Sequence, residues 1–256
     1  MHNYMDLTGR VALITGASSG IGAATAVMMA DLGATVAMGY HANEGGAAAT
    51  RDRIVAAGGR AVTVRADVRT ADAVRAMVDQ VTRELGPIDI LVNNAGSLVE
   101  RFSVREVNEA RLDEIFTLNF KSAVMASQAV APSMIERRRG AIVNIVSIAG
   151  QTGGGPRAGI YASAKAALAC YTKALARELA PFGVRANAVA PGVIDTDMSA
   201  FVRSADGEAF ALGKQALKRV GKSDDIADVV SFLAGPKARW VTGQVIEATG
   251  GSALTF

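Results

Sequence analysis

The feature that most restricts this chain is a set of short runs that are apolar on successive residues rather than on alternate ones, such as 11–15 and 141–146. A strand with one wet face alternates. A strand that is apolar throughout is covered on both faces, as in a parallel sheet. Between these runs lie longer stretches with helical spacing. The reading along the chain is a strand at 11–15, a helix at 20–32 ended by Gly33, and a strand at 34–39. A helix follows at 44–57, then a strand at 60–65 and a helix at 70–85 with a Thr70 cap. Next come a strand at 88–92, a long helix at 112–136, a strand at 141–146 and a long helix at 159–180. A strand at 184–189, a helix capped by Ser223 and running to residue 234, and a seventh strand at 244–247 complete the reading. With right-handed crossovers this alternation predicts an α/β fold: a doubly wound parallel seven-stranded sheet flanked by helices. No low-complexity linker or repeat divides the 256 residues, so the expectation is a single domain spanning 1–256.

Composition narrows the partners. Half of the residues are hydrophobic, ample for a core, and the formal charge is only +3. Basic residues are spread along the chain except for Arg137-Arg138-Arg139, which reads as a solvated helix end. Nothing calls for nucleic acid or a membrane surface. Asp6 and Arg10 precede any apolar stretch, which argues against a signal peptide. No segment offers the roughly 20 apolar residues of a membrane span, so a cytoplasmic setting is expected. The single cysteine, Cys170, cannot form an internal disulfide and reads as a small buried residue on a helix. With only His2 and His41, and no acidic loop spacing, no metal is expected.

In a doubly wound sheet, ligands sit beyond the carboxyl ends of the strands. After the first strand comes Thr15-Gly16-Ala17-Ser18-Ser19-Gly20-Ile21-Gly22. Glycines there allow a sharp turn and close approach to a pyrophosphate, whose charge the following helix N-terminus favours. The same turn taken alone is also a tight connection. After the fourth strand comes Asn93-Asn94-Ala95-Gly96, which alone is also an Asx turn. Ser147 ends the fifth strand, Tyr161 follows fourteen residues on, and Lys165 lies four beyond it. Positions i and i+4 share a helix face, so phenol and ammonium are expected to meet. The ammonium favours the phenolate and should lower a phenol pKa that is otherwise near ~10. Ser147 has no His partner, which argues against a Ser-His-Asp hydrolase.

These motifs, in this order, resemble the short-chain dehydrogenase/reductase family in its single-domain branch, including 3-oxoacyl-carrier-protein reductase-like and glucose dehydrogenase-like members. The resemblance covers almost the whole chain and adds Asp67-Val68, Asn119 and Pro191-Gly192. It implies a Rossmann-type fold and an NAD(P)(H)-dependent oxidoreductase that interconverts a carbonyl and a secondary alcohol by hydride transfer. Tyr161 would be the general acid/base. Lys165 would support it and hold the nicotinamide ribose. Ser147 would orient the substrate oxygen, and Asn119 would hold a water linking Lys165 to solvent. The cofactor residues implied are Gly16, Ser18, Ser19, Gly20, Ile21 and Gly22 at the pyrophosphate, with Tyr40, His41 and Asn43 at the adenosine ribose. Asp67 and Val68 would meet the adenine. Asn93, Ala95 and Gly96 would lie along the cofactor, with Asn94 bracing the sheet. Pro191, Gly192, Ile194 and Thr196 would border the nicotinamide. An NAD-dependent alcohol, sugar or polyol dehydrogenase is the alternative. A non-catalytic or lyase-like member, such as a halohydrin dehalogenase, is disfavoured by Lys165 and the intact glycine turn.

Cofactor choice is pulled two ways. The position eighteen after Gly22, where NAD-preferring members place an acid, is Tyr40. The turn at Ser18 and Ser19, where many NADP-preferring members carry a basic residue, has none. Absent like-charge repulsion is the larger effect, so NADP(H) is expected to be preferred, with NAD(H) possible. The substrate is a small carbonyl or alcohol compound under a variable lid at about 193–215. The lid residues Met198, Phe201, Val202 and Phe210 are expected to pack mainly on the domain, and Gly153-Gly154-Gly155 leaves room beside Tyr161. Arg157 reads as an exposed loop residue, attraction of an acidic substrate being the alternative. The resemblance implies a homotetramer, with helices 112–136 and 159–180 in one interface and residues 240–256 in the other.

Overall fold

The computed structural model describes residues 5–252. Its strands and helices alternate as β1 (Val11–Thr15), α1 (Gly20–Asp31), β2 (Thr35–Tyr40), α2 (Glu44–Ala56), β3 (Arg60–Arg65) and α3 (Ala71–Leu85). They continue as β4 (Ile90–Asn93), α4 (Glu109–Phe116), α5 (Ser122–Glu136), β5 (Gly140–Ile145), the short α6 (Ala149–Thr152) and α7 (Gly159–Leu179). β6 (Val184–Pro191), α8 (Ala205–Lys214), α9 (Ser223–Ala234) and β7 (Val245–Ala248) complete the chain. The seven strands form one sheet in the order β3-β2-β1-β4-β5-β6-β7, with every pairing parallel. The order reverses between β1 and β4. There the connections leave toward opposite faces, and the loops part into a crevice.

The unbroken apolar runs have a direct explanation. Neighbouring residues of a strand point to opposite faces, and here both faces are covered. Leu13, Leu91 and Ile142 pack with Met77, Met134 and Leu175 on one side of the sheet. Their neighbours Ile14, Val92 and Val143 pack with Met29, Met38, Val230 and Leu233 on the other. Both layers are dry, so neither residue of each pair is free to be polar.

Several boundaries differ from the sequence reading for local reasons. The helix expected at 112–136 starts at Glu109, where Asn108 Oδ1 accepts from Arg111 N at 3.0 Å. It is then interrupted by a π-helical turn at Thr117–Lys121. Ser223 is the first helical residue of α9 rather than its cap; the Asp225 carboxylate accepts from Lys222 N instead. Cys170, expected buried, is exposed. The buried stripe of α7 runs through Tyr161, Lys165, Leu168, Thr172, Leu175 and Leu179, and position 170 falls off it.

The arginine cluster is only in part a solvated end: Arg138 and Arg139 are exposed, yet Arg137 and Arg139 converge on a buried carboxylate. Arg137 Nη1 and Arg139 Nη2 lie 2.6 and 2.7 Å from the same Asp89 oxygen, and Asp89 is 4% exposed. Asp89 Oδ2 also accepts from Val11 N at 3.1 Å. Burial pushes the Asp89 carboxyl up, but these donors outweigh it and hold it below the usual range. The carboxylate thus ties the amino ends of β1 and β4 to the α5–β5 turn, at the edge of the sheet opposite the crevice. Among the described residues, no helix is long and apolar enough to cross a membrane.

Candidate active site

The crevice is closed at its base by contacts between the loops after β1 and β4. Thr15 Oγ1 accepts from both Asn94 N and Ala95 N at 3.0 Å. Asn94 Nδ2 donates to Thr15 O and Gly16 O at 2.9 Å. The approach leaves no room for side chains. A Cβ on Gly16, whose φ is +65°, would stand 2.9 Å from Ala95 Cα, and one on Gly22 would run into the Gly16 carbonyl and the Asn94 amide. α1 starts at this point with no side-chain cap and no acid in its first turn. By contrast α2, α3, α4 and α8 are each capped by a side chain, from Asn43, Thr70, Asn108 and Ser204. The uncapped N–H groups of α1 therefore remain for an anionic ligand in the crevice.

Ser147, just after β5, and Tyr161 and Lys165, on α7, line the same cleft of about 320 Å3 as Gly16, Ser19, Gly20 and Ile21. The Tyr161 hydroxyl stands beside the Ser147 side chain, which lowers its pKa. Lys165 is 3% exposed; its Nζ donates to Ile145 O at 2.8 Å and lies 5.8 Å from the Tyr161 ring centre. Gly150 presses on α7 just past Lys165: a Cβ there would be 2.9 Å from Ala166 N. That contact fixes how closely Ser147 and Tyr161 approach. Gly96 floors the site, since its Cβ would be 2.7 Å from Asn119 Oδ1 and 3.0 Å from Lys165 Nζ. Asn119, within the π turn and 1% exposed, accepts from Ser97 N at 3.1 Å and donates to Ser97 O at 2.8 Å and Ile115 O at 3.1 Å. It holds the Gly96–Ser97 backbone against Lys165.

Burial governs the titration of this group. It pushes the Tyr161 phenol up, more than Ser147 lowers it. It pushes the Lys165 ammonium down to about 8. The expected lowering of the phenol by Lys165 is therefore not what the ligand-free site shows. Each residue is moved toward its neutral form.

At the far end, Tyr40, His41, Asp67, Val68, Arg69 and Ala95 line a hollow of about 160 Å3 that shares Gly16 and Ala95 with the main cleft. Arg69 grips the Asp67 carboxylate with Nε at 2.9 Å and Nη2 at 2.8 Å, and His41 Nε2 stands 3.8 Å away. The Arg69 hydrogen bonds hold Asp67 down at about 2. Arg65 Nε donates to His41 O at 3.3 Å. Sequence reasoning missed Arg69 and Arg65. The available signal was a basic residue on either side of Asp67-Val68 at the end of β3.

Other expected cofactor residues fall differently. The Asn93 side chain is buried away from the crevice; it donates to Asn144 Oδ1 at 2.8 Å and Ser127 Oγ at 3.2 Å, so only its backbone faces the ligand edge. The period of two along β4 put Asn93 on the face opposite Val92. Asn43 is engaged in capping α2 through Gly46 N at 2.9 Å. Ser19 lines the cleft and Ser18 is not among its lining residues. Pro191, Gly192 and Thr196 line it too, whereas Ile194 is buried in a bridge with Gly221. In the segment after β6, Val202 packs inward as expected of the segment in the main, while Met198 and Phe201 face the cleft. Phe210 meets Phe201 edge-on at 6.2 Å.

A Rossmann-type sheet with a glycine turn at its switch point and a Ser–Tyr–Lys group at its carboxyl edge defines the oxidoreductase class to which this geometry corresponds. The chain belongs to the short chain dehydrogenase family, whose sequence model matches residues 10–207. It is 41% identical to an uncharacterized oxidoreductase of Methylorubrum extorquens, over 96% of this chain and 98% of that one. It is 40% identical to the 3-oxoacyl-(acyl-carrier-protein) reductase FabG of Staphylococcus epidermidis, over 94% and 97%. A blue fluorescent protein from a metagenomic library, solved in complex with NADPH, superposes with a TM-score of 0.91 at 37% identity, over 97% and 100% of the two chains.

The buried Lys165 yields a prediction. Its folded pKa is about 8 against an ordinary value of 10.5, so below pH 8 the fold bears the full cost of an unpaired buried ammonium. Between those values the unfolded chain holds the extra proton, and stability rises with pH. Lys165→Met should therefore be more stable than wild type at neutral pH by up to about 3 kcal/mol, a gain that shrinks as pH approaches 10. Thermal melts across that range check it; a variant melting below wild type at pH 7 would contradict it.

Proposed function

We propose that this oxidoreductase reduces a ketone to a secondary alcohol with NADPH, Tyr161 donating the proton. The observation that carries the reading is the Tyr161 hydroxyl, beside Ser147 and raised in pKa by burial, in one cleft with the uncapped start of α1. Burial keeps the phenol protonated at neutral pH, the form needed to give a proton to a developing alkoxide. Ser147 orients the carbonyl oxygen toward that proton. Lys165, held by Ile145 O, stabilises the phenolate left behind. Asn119 keeps Gly96 from crowding the ammonium. The reduced nicotinamide is the hydride source.

The residues present fit that cofactor. The α1 N–H groups after Gly16 and Gly20 suit a pyrophosphate, and Val68 and Asp67 suit the adenine. Pro191, Gly192 and Thr196 suit the nicotinamide end. No carboxylate at Tyr40 repels a 2′-phosphate. The cation missing at Ser18 and Ser19 is supplied instead by Arg69 in the adenosine hollow and by Arg65 beside it. The 193–215 segment serves as the lid over the substrate.

The assembly is read as a homotetramer. Trp240 is 96% exposed, and Phe232, Leu217 and Ile246 are further exposed apolar residues toward the C-terminus. β7 is an edge strand with one side unpaired. The expected interface runs to residue 256, of which 253–256 lie outside the described residues.

Three measurements test these readings. Tyr161→Phe should lose at least ~10²-fold in turnover over a ketone panel with NADPH affinity unchanged; retention of a tenth of the activity would remove Tyr161 from the role. Wild type should favour NADPH over NADH in kcat/KM by about ten-fold, or ~1.4 kcal/mol, with Tyr40→Asp reversing the order; a wild type that favours NADH overturns the cofactor assignment. Light scattering should give four times the 26.4 kDa chain mass, and a monomer at micromolar concentration rules the tetramer out.

A further inference from the structure

Besides Lys165, the cleft that holds Ser147 and Tyr161 contains one other cationic side chain, Arg101. The rest of its substrate side is mostly apolar or lacks a side chain: Leu98, Ala149, Ala158, Met198 and Phe201, with Gly154 and Gly155; Asp197 and Ser199 are the polar members beside Met198. Arg101 Nη1 donates to Pro156 O at 3.1 Å and would lie 3.8 Å from a Cβ on Gly155. The absent side chains at Gly154 and Gly155 leave its guanidinium open to the cleft.

The carboxylates near Arg101 are committed elsewhere. Glu106 is paired with Arg157 at 2.7 Å and Glu100 with Arg111 at 3.4 Å. Asp197, which also lines the cleft, is paired with Arg203 at 3.2 Å. No ion pair involving Arg101 occurs among the described residues. Arg157, the arginine that the sequence made a candidate for an acidic substrate, is the one already neutralised. Yet Arg157 and its neighbour brace Arg101: Phe102 N donates to Arg157 O at 3.1 Å, and Arg157 Nη2 donates to Arg101 O at 3.4 Å. Phe102 is buried against Ile115 and Tyr161. The backbone that carries Arg101 is thus packed onto the catalytic tyrosine itself.

We propose that the substrate of this site carries an anionic group, a carboxylate or phosphate, which the Arg101 guanidinium receives while the carbonyl lies at Ser147 and Tyr161. A guanidinium offers two parallel N–H donors to either anion. Between mostly apolar walls, one such group fixes the direction in which a substrate lies. This inference rests on the carbonyl-reduction reading above.

The test compares acetoacetate with ethyl acetoacetate, levulinate with ethyl levulinate, and dihydroxyacetone phosphate with dihydroxyacetone, using wild type, Arg101→Gln and Arg101→Lys with NADPH. The expected result is an anionic member favoured at least ten-fold in kcat/KM by wild type. Arg101→Gln should lose that preference through KM, with kcat and the neutral partner within two-fold, and Arg101→Lys should recover part of it. The first two pairs winning marks a carboxylate; the third marks a phosphate. The inference is overturned where wild type favours the neutral member of every pair, or where Arg101→Gln depresses both members alike. Absence of turnover for all six compounds with NADPH bound counts against carbonyl reduction instead. The anion site is then read from the fluorescence of bound NADPH: anions that bind at least ten-fold more weakly to Arg101→Gln support it, and equal or absent binding overturns it.

Discussion

The lacing of the loops after β1 and β4 is the constraint on which the site depends. Thr15-Gly16 and Asn94-Ala95 share four hydrogen bonds across the point where the strand order reverses. Parallel strands would otherwise let these loops diverge, because their helices leave toward opposite faces of the sheet. Drawing them together has two effects. It forces glycine at Gly16 and Gly22, which opens the start of α1 to the crevice. It also delivers Ala95 and Gly96 to Asn119 and Lys165. One contact therefore sets both the place for a charged ligand and the floor beneath the reacting group.

The second constraint is dielectric. Among the described residues Lys165 has no carboxylate partner; its bond to Ile145 O is a neutral one. A carboxylate there would stabilise the fold but would compete with the phenolate for the ammonium. The fold instead carries a destabilised cation, which in the proposed reduction would meet the negative charge left at Tyr161. The same burial raises the phenol, so proton donor and stabilising cation coexist at neutral pH. Strain of this kind is tolerable because the α7 stripe through Leu168, Thr172, Leu175 and Leu179 anchors the helix below the site.

Much of this was legible in the sequence because it follows from periodicity and from turn chemistry. Unbroken apolar runs gave the two-sided sheet, since Leu13 and Ile14 must face different cores. Glycine spacing gave the turn after β1, and the i, i+4 relation put Tyr161 and Lys165 on one face of α7. What was not legible depended on long-range partners. The helical period does not register a π turn, so the placement of Asn119 in one was invisible. Arg137 and Arg139 looked solvated because Asp89 is about fifty residues away in sequence. Asn93 looked like a crevice residue because its Asn144 and Ser127 partners lie on other elements. Cys170 was misread although the α7 stripe excludes it, since small size was weighed above helical phase.

The adenosine end carries the argument one step further. The sequence placed the question of a phosphate-binding cation in the glycine turn, where Ser18 and Ser19 supply none. The structure places cations two strands farther out, at the end of β3, with Arg65 and Arg69 flanking Asp67. Asp67 is ionised at neutral pH and offsets Arg69, whose Nη1 also lies 3.8 Å from Glu114, while Arg65 beside His41 has no ion pair among the described residues. Arg69 is a fork held rigidly by a carboxylate, which costs less ordering than a free lysine in a loop. A hollow walled by a buried tyrosine, with its one carboxylate neutralised, has lost the repulsion that an acid at Tyr40 would bring. Its charge balance favours a further anion by position rather than by a single dedicated clamp.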